Sequence, residues 1–263
     1  MDLNNVKRVG LAAAYQSGEV LKQYFGNIRE MNKKSAKDLV TNADTESEQV
    51  IIDTIRQAYP EHSILAEESG LKNSSSTNCQ WIVDPLDGTV NFAHQLSLFC
   101  VSIAFAIRES VKVGIVLNPI SGELFIAVEG QGATLNGQPI RVSEQSELTD
   151  SLLVTGFPYN INDIIKPAMQ RFKNCLSISR GVRRLGSAAI DLCYLACGRF
   201  EAFWEQNLHP WDTAAGILIV KEAGGTITDF SDNPYSIYKN EILATNGKVH
   251  QAMLSMMSLQ ESI

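Results

Sequence analysis

Two aspartates three residues apart, Asp84 and Asp87, follow the apolar run Trp81-Ile82-Val83 and precede Gly88. The short apolar run predicts a buried strand, and Pro85 with Gly88 predicts a tight turn at its end. Carboxylates presented there, beside a glycine that leaves room, can ligate a hard cation and admit a phosphate. An ordinary Asp-Gly turn after a strand is the alternative reading of the same residues.

Three more acids fall at the ends of expected elements and not on solvent faces. Asp44 starts a helix, Glu67 ends the apolar strand 63–66, and Asp212 follows Trp211 at another helix start. Taken singly, Asp44 and Asp212 also read as helix caps. Brought together, five carboxylates could not all ionise without compensation. Two or more Mg²⁺ ions, some ~3.5–4 Å apart, would resolve that conflict and could bind both oxygens of an in-line displacement at phosphorus. The all-oxygen donor set favours Mg²⁺ or Mn²⁺ over zinc.

The elements that must position these acids are legible in outline. Val6, Val9, Leu11, Ala13, Ala14, Val20, Leu21 and Tyr24 recur at helical spacing over residues 3–25, and Gly26 supplies a stop. Residues 39–41 read as a strand and about 43–58 as a second helix, capped by Thr41 or Asn42 and ended by Pro60. The tract 72–78, with three consecutive serines, reads as a mobile loop. Strands are expected at 99–108, 111–117 and 124–128 as a meander, then a hairpin about Asn136-Gly137. Beyond residue 145 the pattern alternates: strand 152–155, helix 163–174, helix 186–197, strand 200–204, helix 210–223, strands 226–229 and 242–244, and a last helix. The expectation is an α/β (α+β) protein of two domains, residues 1–145 carrying most metal ligands and 146–263 carrying Asp212 and substrate contacts.

Composition narrows the function classes. The 263 residues are 44% hydrophobic and 19% charged, with a formal net charge of −7, so the chain can bury a large core. Acids and bases are mixed and no basic run occurs, which argues against a broad face for nucleic acid or membrane surfaces. The five cysteines form no Cys-x-x-Cys pair, and the pattern suits a reducing compartment. The first residues do not resemble a secretory or transit peptide, and no apolar stretch approaches the roughly 20 residues of a membrane span. A cytoplasmic location is expected.

Several segments together resemble the inositol monophosphatase family, lithium-sensitive Mg²⁺-dependent phosphomonoesterases. The longest are Asp84-Pro85-Leu86-Asp87-Gly88-Thr89-Val90-Asn91-Phe92 and Trp211-Asp212-Thr213-Ala214-Ala215-Gly216, the latter continuing to Glu222-Ala223-Gly224-Gly225. Asp38-Leu39-Val40-Thr41 with Asp44, the pair Glu67-Glu68, and Arg184-Leu185-Gly186-Ser187-Ala188-Ala189 match in order and spacing, so the resemblance spans nearly the whole chain. It implies a layered αβαβα sandwich of the inositol monophosphatase and fructose-1,6-bisphosphatase type.

By that resemblance, Glu67, Asp84 and the Leu86 carbonyl would hold one metal, and Asp84, Asp87 and Asp212 a second, with Glu67 touching a weaker third. Asp87, Gly88 and Thr89 would cradle phosphate, while Thr89, paired with Glu67 or Asp44, would orient the attacking water. Ala188, Glu205 and Asp212 would meet the alcohol part of the substrate. A lysine near the first loop is assigned ambiguously among Lys33, Lys34 and Lys37, and His209 reads as structural. Glu205 favours a neutral polyol, with myo-inositol 1-phosphate as first substrate. A basic pocket residue would reverse that inference, but Arg183 and Arg184 read as surface or interface charges. Fructose-1,6-bisphosphatase and histidinol-phosphatase activities share the metal motifs. A homodimer is expected, and binding of transcription machinery, known among bacterial members, is the alternative from a different class.

Overall fold

Strict alternation of side chains along a strand sends neighbours to opposite faces, and a strand apolar at every position must be covered on both. The central strands of this chain read that way. The computed structural model describes residues 1–27, 31–33, 39–72, 78–158 and 161–259. In chain order the elements are α1 (Leu3–Tyr24), β1 (Met31–Lys33), β2 (Leu39–Thr41), α2 (Asn42–Ala58), β3 (Ser63–Ala66), β4 (Gly70–Lys72), β5 (Cys79–Asp87) and α3 (Thr89–Ala93). There follow β6 (Cys100–Ile107), β7 (Ser110–Asn118), β8 (Glu123–Val128), β9 (Ala133–Leu135), β10 (Gln138–Pro139), β11 (Leu152–Thr155), α4 (Ile165–Ile178) and β12 (Gly181–Arg183). The chain closes with α5 (Ala188–Ala196), β13 (Ala202–Gln206), α6 (Pro210–Glu222), β14 (Thr226–Thr228), β15 (Glu241–Thr245) and α7 (His250–Met257).

Among the described residues the strands form a large sheet in the order β10-β9-β8-β7-β6-β5-β3-β4, a smaller one in the order β12-β11-β13-β15-β14, and the separate pair β1-β2. Three cores define the layers. Trp81, Val83, Val101, Ile103 and Phe105 face Val6, Ala13, Ile51 and Ile55 of α1 and α2. Their neighbours Ile82, Cys100, Ala104 and Ala106 turn the other way, onto α5 and α6, which also cover Val154, Phe203 and Ala244 of the small sheet. Leu153, Trp204 and Leu243 then meet Cys175 of α4 and Met253 and Met257 of α7. The order is helices, sheet, helices, sheet, helices: the expected αβαβα sandwich.

One local expectation needs correction. Asp84 and Asp87 do not straddle a tight turn: β5 runs on through Asp87, pairing Asp84 with Ser102 and Asp87 with Cys100. The register shifts between them, so three steps on β5 match two on β6, a one-residue bulge. Proline has no amide to donate, and its presence at residue 85 suits such an interruption. Thr89–Ala93 then forms a short helix. The serine tract 73–77 lies outside the described residues, as do Lys34, Lys37 and Asp38.

Candidate active site

The bulge in β5 re-aims the chain so that Asp84, Leu86 and Asp87 all reach one cavity of about 490 Å³. Gly88 follows with φ +100°, a left-handed conformation open to glycine, and a Cβ there would press on the Leu98 carbonyl at 3.0 Å. Gly88 is the residue that precedes α3, and Thr89 begins it. The same cavity is lined by Glu67, Gly88, Thr89, Ala188, Glu205 and Asp212. Convergence of acids from four separate stretches of chain is therefore a property of the fold.

Asp44 is the exception. It is buried in the first turn of α2 and does not line the cavity, reaching it through Thr89, whose Oγ1 donates to Asp44 Oδ1 at 3.2 Å or to the Leu86 carbonyl at 3.1 Å. Glu68 also stays off the cavity wall. Its amide donates to Glu48 Oε2 at 2.8 Å, and the Ser69 amide to Glu48 Oε1 at 3.1 Å. Buried Glu48 thus pins the segment that carries Glu67.

Asp87 is held from the opposite side. Its Oδ2 accepts from Ser187 Oγ and the Ala189 amide, both at 2.7 Å, and Cys100 Sγ lies 3.9 Å away. Ser187 caps α5, so the carboxylate sits where that helix presents free amides. Asp212 caps its own helix, Oδ2 accepting from the His209 amide at 2.7 Å, and still lines the cavity. The capping and ligand readings of this residue are compatible. His209 stacks on Trp211 at the rim, ring centroids 4.8 Å apart.

Electrostatics mark the cluster as short of positive charge. Burial, then the charges of Glu67, Asp87 and Asp212, push the Asp84 carboxyl well above the usual range, helped by its hydrogen bond with Glu67. Burial and then Asp87 do the same to Asp212, against the His209 amide. Burial pushes Asp87 up to about 6, opposed by Ser187, the Ala189 and Ala188 amides and the Cys100 thiol. The leading influences on these three include no lysine or arginine.

As placed, no three His, Cys, Asp or Glu side chains among the described residues form a group that could hold a metal ion. Each carboxylate is instead turned toward a protein donor: Asp84 toward the Leu86 amide at 3.0 Å, Asp87 toward α5, Asp212 toward His209. The donor set nevertheless fits a hard divalent cation. It is all oxygen, it faces one cavity, and it lacks the positive charge that four crowded acids require. Those bonds engage Oδ1 of Asp84 and Oδ2 of Asp87 and of Asp212, one oxygen of each carboxylate.

The part of the cavity around Glu205 departs from the sequence reading in three ways. Arg184, read as a surface charge, lines the cavity and acts on Glu205. Gly156 lies so close to the Glu205 carboxylate that any Cβ would overlap it. Asp191, absent from every motif of the sequence, is also on the wall. A Thr-Gly-Phe-Pro break after a strand was the available signal for Gly156; Asp191 had none beyond its place in an apolar helix. Glu205, expected at a strand end, is buried, and burial pushes it up to about 8, with Arg184 opposing and Asp87 adding.

Comparison with known proteins agrees with this geometry. The model of the inositol monophosphatase family matches residues 2–261. An inositol-1-monophosphatase of Synechocystis sp. is 43% identical over 253 residues, covering 96% of this chain and 88% of that protein. A Nus factor SuhB of Pseudomonas aeruginosa is 40% identical, covering 94% of this chain and 93% of the relative. The solved inositol monophosphatase of Anabaena (Nostoc) sp. PCC 7120 superposes with a TM-score of 0.89 at 41% identity, covering 98% of this chain and 96% of that one. With its motifs, its layered sandwich and its acid-lined cavity, this chain belongs to the inositol monophosphatase family.

Proposed function

We propose that the protein hydrolyses the phosphate monoester of a neutral polyol, myo-inositol 1-phosphate first among them, with two to three Mg²⁺ ions, or Mn²⁺. The observation that carries the reading is the convergence of Glu67, Asp84, Asp87 and Asp212 on one cavity, with no lysine or arginine among the leading influences on the three aspartates. Glu67, Asp84, Asp87, Asp212 and the Leu86 carbonyl would hold the ions. Bound there, the ions would acidify a water and neutralise charge developing on phosphate.

The chain's own groups do the rest. Thr89 can donate its hydroxyl hydrogen bond to Asp44 and so turn a lone pair toward the attacking water, which it orients. Gly88 and Thr89 offer backbone amides to phosphate oxygens, and the φ of Gly88 leaves room for that approach. Ala188, at the start of α5, lets the alcohol come close. Arg184 would favour a second anionic group, but the buried carboxyls of Glu205 and Asp191 stand beside it on the same wall and can take hydroxyl partners instead.

Phosphate release from myo-inositol 1-phosphate, fructose 1,6-bisphosphate, histidinol phosphate and adenosine 3′,5′-bisphosphate tests the proposal. The inositol ester should be turned over fastest, and chelator should abolish release. Asp212→Asn should lower kcat/KM about 100-fold or more with little change in melting temperature. Full turnover in chelator would refute the mechanism. A second reading, binding to transcription machinery, is favoured by the name of the Pseudomonas relative. The same Asp212→Asn variant in a deletion strain separates them: rescue of the phenotype would assign the cellular role to binding.

A further inference from the structure

One acid on the cavity wall is explained by neither packing nor cation binding. Asp191 lies in the first turn of α5, is 1% exposed, and lines the cavity with Glu205 and Arg184. Its Oδ1 is buried and has no hydrogen-bond partner among the described residues. A buried carboxyl oxygen without a donor costs more than an ordinary hydrogen bond returns, so native structures rarely keep one without a use. Packing gives no reason for it. Ile190, Leu192 and Cys193 beside it are fully buried apolar residues, and a side chain of that kind would fill the site without the penalty.

Its surroundings specify what is missing. Glu205 and Asp87 both act on Asp191 by repulsion, and Arg184 is the charge that opposes them. Asp87 is already supplied with donors by Ser187 and Ala189. That leaves two buried acids, Asp191 and Glu205, on the wall of the cavity. Such a wall has acceptors in excess. A ring bearing adjacent hydroxyls would satisfy both acids at once.

Resting on the phosphatase reading above, we propose that Asp191 is a specificity-determining residue: its unpartnered carboxyl accepts a hydroxyl hydrogen from the alcohol moiety, and with Glu205 it selects a neutral, polyhydroxylated leaving group.

The test compares two esters in the Mg²⁺-loaded protein: myo-inositol 1-phosphate and 4-nitrophenyl phosphate, whose leaving group has no neighbouring hydroxyl. Asp191→Ala should lower kcat/KM for the inositol ester about 10- to 100-fold, mostly through KM, and at least tenfold more than for the aryl ester. Asp191→Asn, which keeps the shape and an acceptor oxygen, should recover part of the loss. It also covers the case in which the alanine variant fails to fold. Binding of free myo-inositol, followed by calorimetry, should weaken in parallel. Equal losses on both esters, or none on either, would overturn the proposal while leaving the phosphatase reading intact. A wild-type protein that cleaves the aryl ester and ignores every polyol phosphate would overturn the substrate reading, and this inference with it.

Discussion

At the scale of single residues, the site is a set of acids pressed into a charge-poor cavity, and their protonation has measurable consequences. Glu205 is buried, and its carboxyl is pushed from an ordinary 4.5 to about 8, by burial first. The folded protein therefore keeps a proton that the unfolded chain has lost between those values. Stability contributed by this group is present at acid pH and declines as pH rises from about 4.5 to about 8. Glu205→Gln removes that decline. In metal-free protein its melting temperature should gain on the wild type steadily across that interval, and a gain independent of pH would mean that Glu205 is solvated. The acids themselves were legible in the sequence. Asp84, Asp87 and Asp212 sit in long motifs, and Glu67 ends a recognisable strand. Their supports were not. Gly156 meets Glu205, Ser187 meets Asp87 and Glu48 meets Glu68 across long stretches of chain, and no local pattern encodes such contacts.

At the scale of elements, a few small residues set how closely the layers approach. Gly114 of β7 lies under α6, where a Cβ would stand 2.6 Å from the Ala215 carbonyl. Backbone cannot yield as a flexible side chain does, so Gly114→Ala should cost about 1–3 kcal/mol of stability. Because α6 carries Asp212, kcat/KM should fall as well; a variant as stable and active as wild type would show that the helix slides freely. Long apolar strands such as β5, β6 and β7 declared themselves by their composition. The edge strands β4 and β12, Gly-Leu-Lys and Gly-Val-Arg, did not, since three residues carry no alternation and only pairing to β3 and β11 makes them strands. Helix α4 ends at Ile178, four residues beyond expectation, and buried Cys175 anchors that extra turn. The bulge in β5 left its trace as Pro85, which reads equally well as a turn.

At the scale of the whole molecule, the cavity lies where the layers meet. β5 brings Asp84 and Asp87 from the large sheet, the inner helices bring Ala188, Asp191 and Asp212, and β13 brings Glu205 from the small sheet. The layering was implied by family resemblance; that three separate cores hold it together is a finding of the structure. A site assembled in this way exists only while the layers stay in register. Cys100 offers a view of that condition. Its thiol is buried between β6 and α5, 3.6 Å from Ser187 Oγ, and burial pushes it far toward the unreactive protonated form. A thiol-alkylating reagent can reach it only after strand and helix part. Peptide mapping of alkylated protein should find the half-buried Cys79 and Cys197 labelled first and Cys100 orders of magnitude later, later still with Mg²⁺ present. Prompt labelling at Cys100 would mean that the layers breathe apart in the resting protein. The sulfur behind Asp87 is thus a stopwatch already installed in the chain, timing each separation of the surfaces between which catalysis would take place.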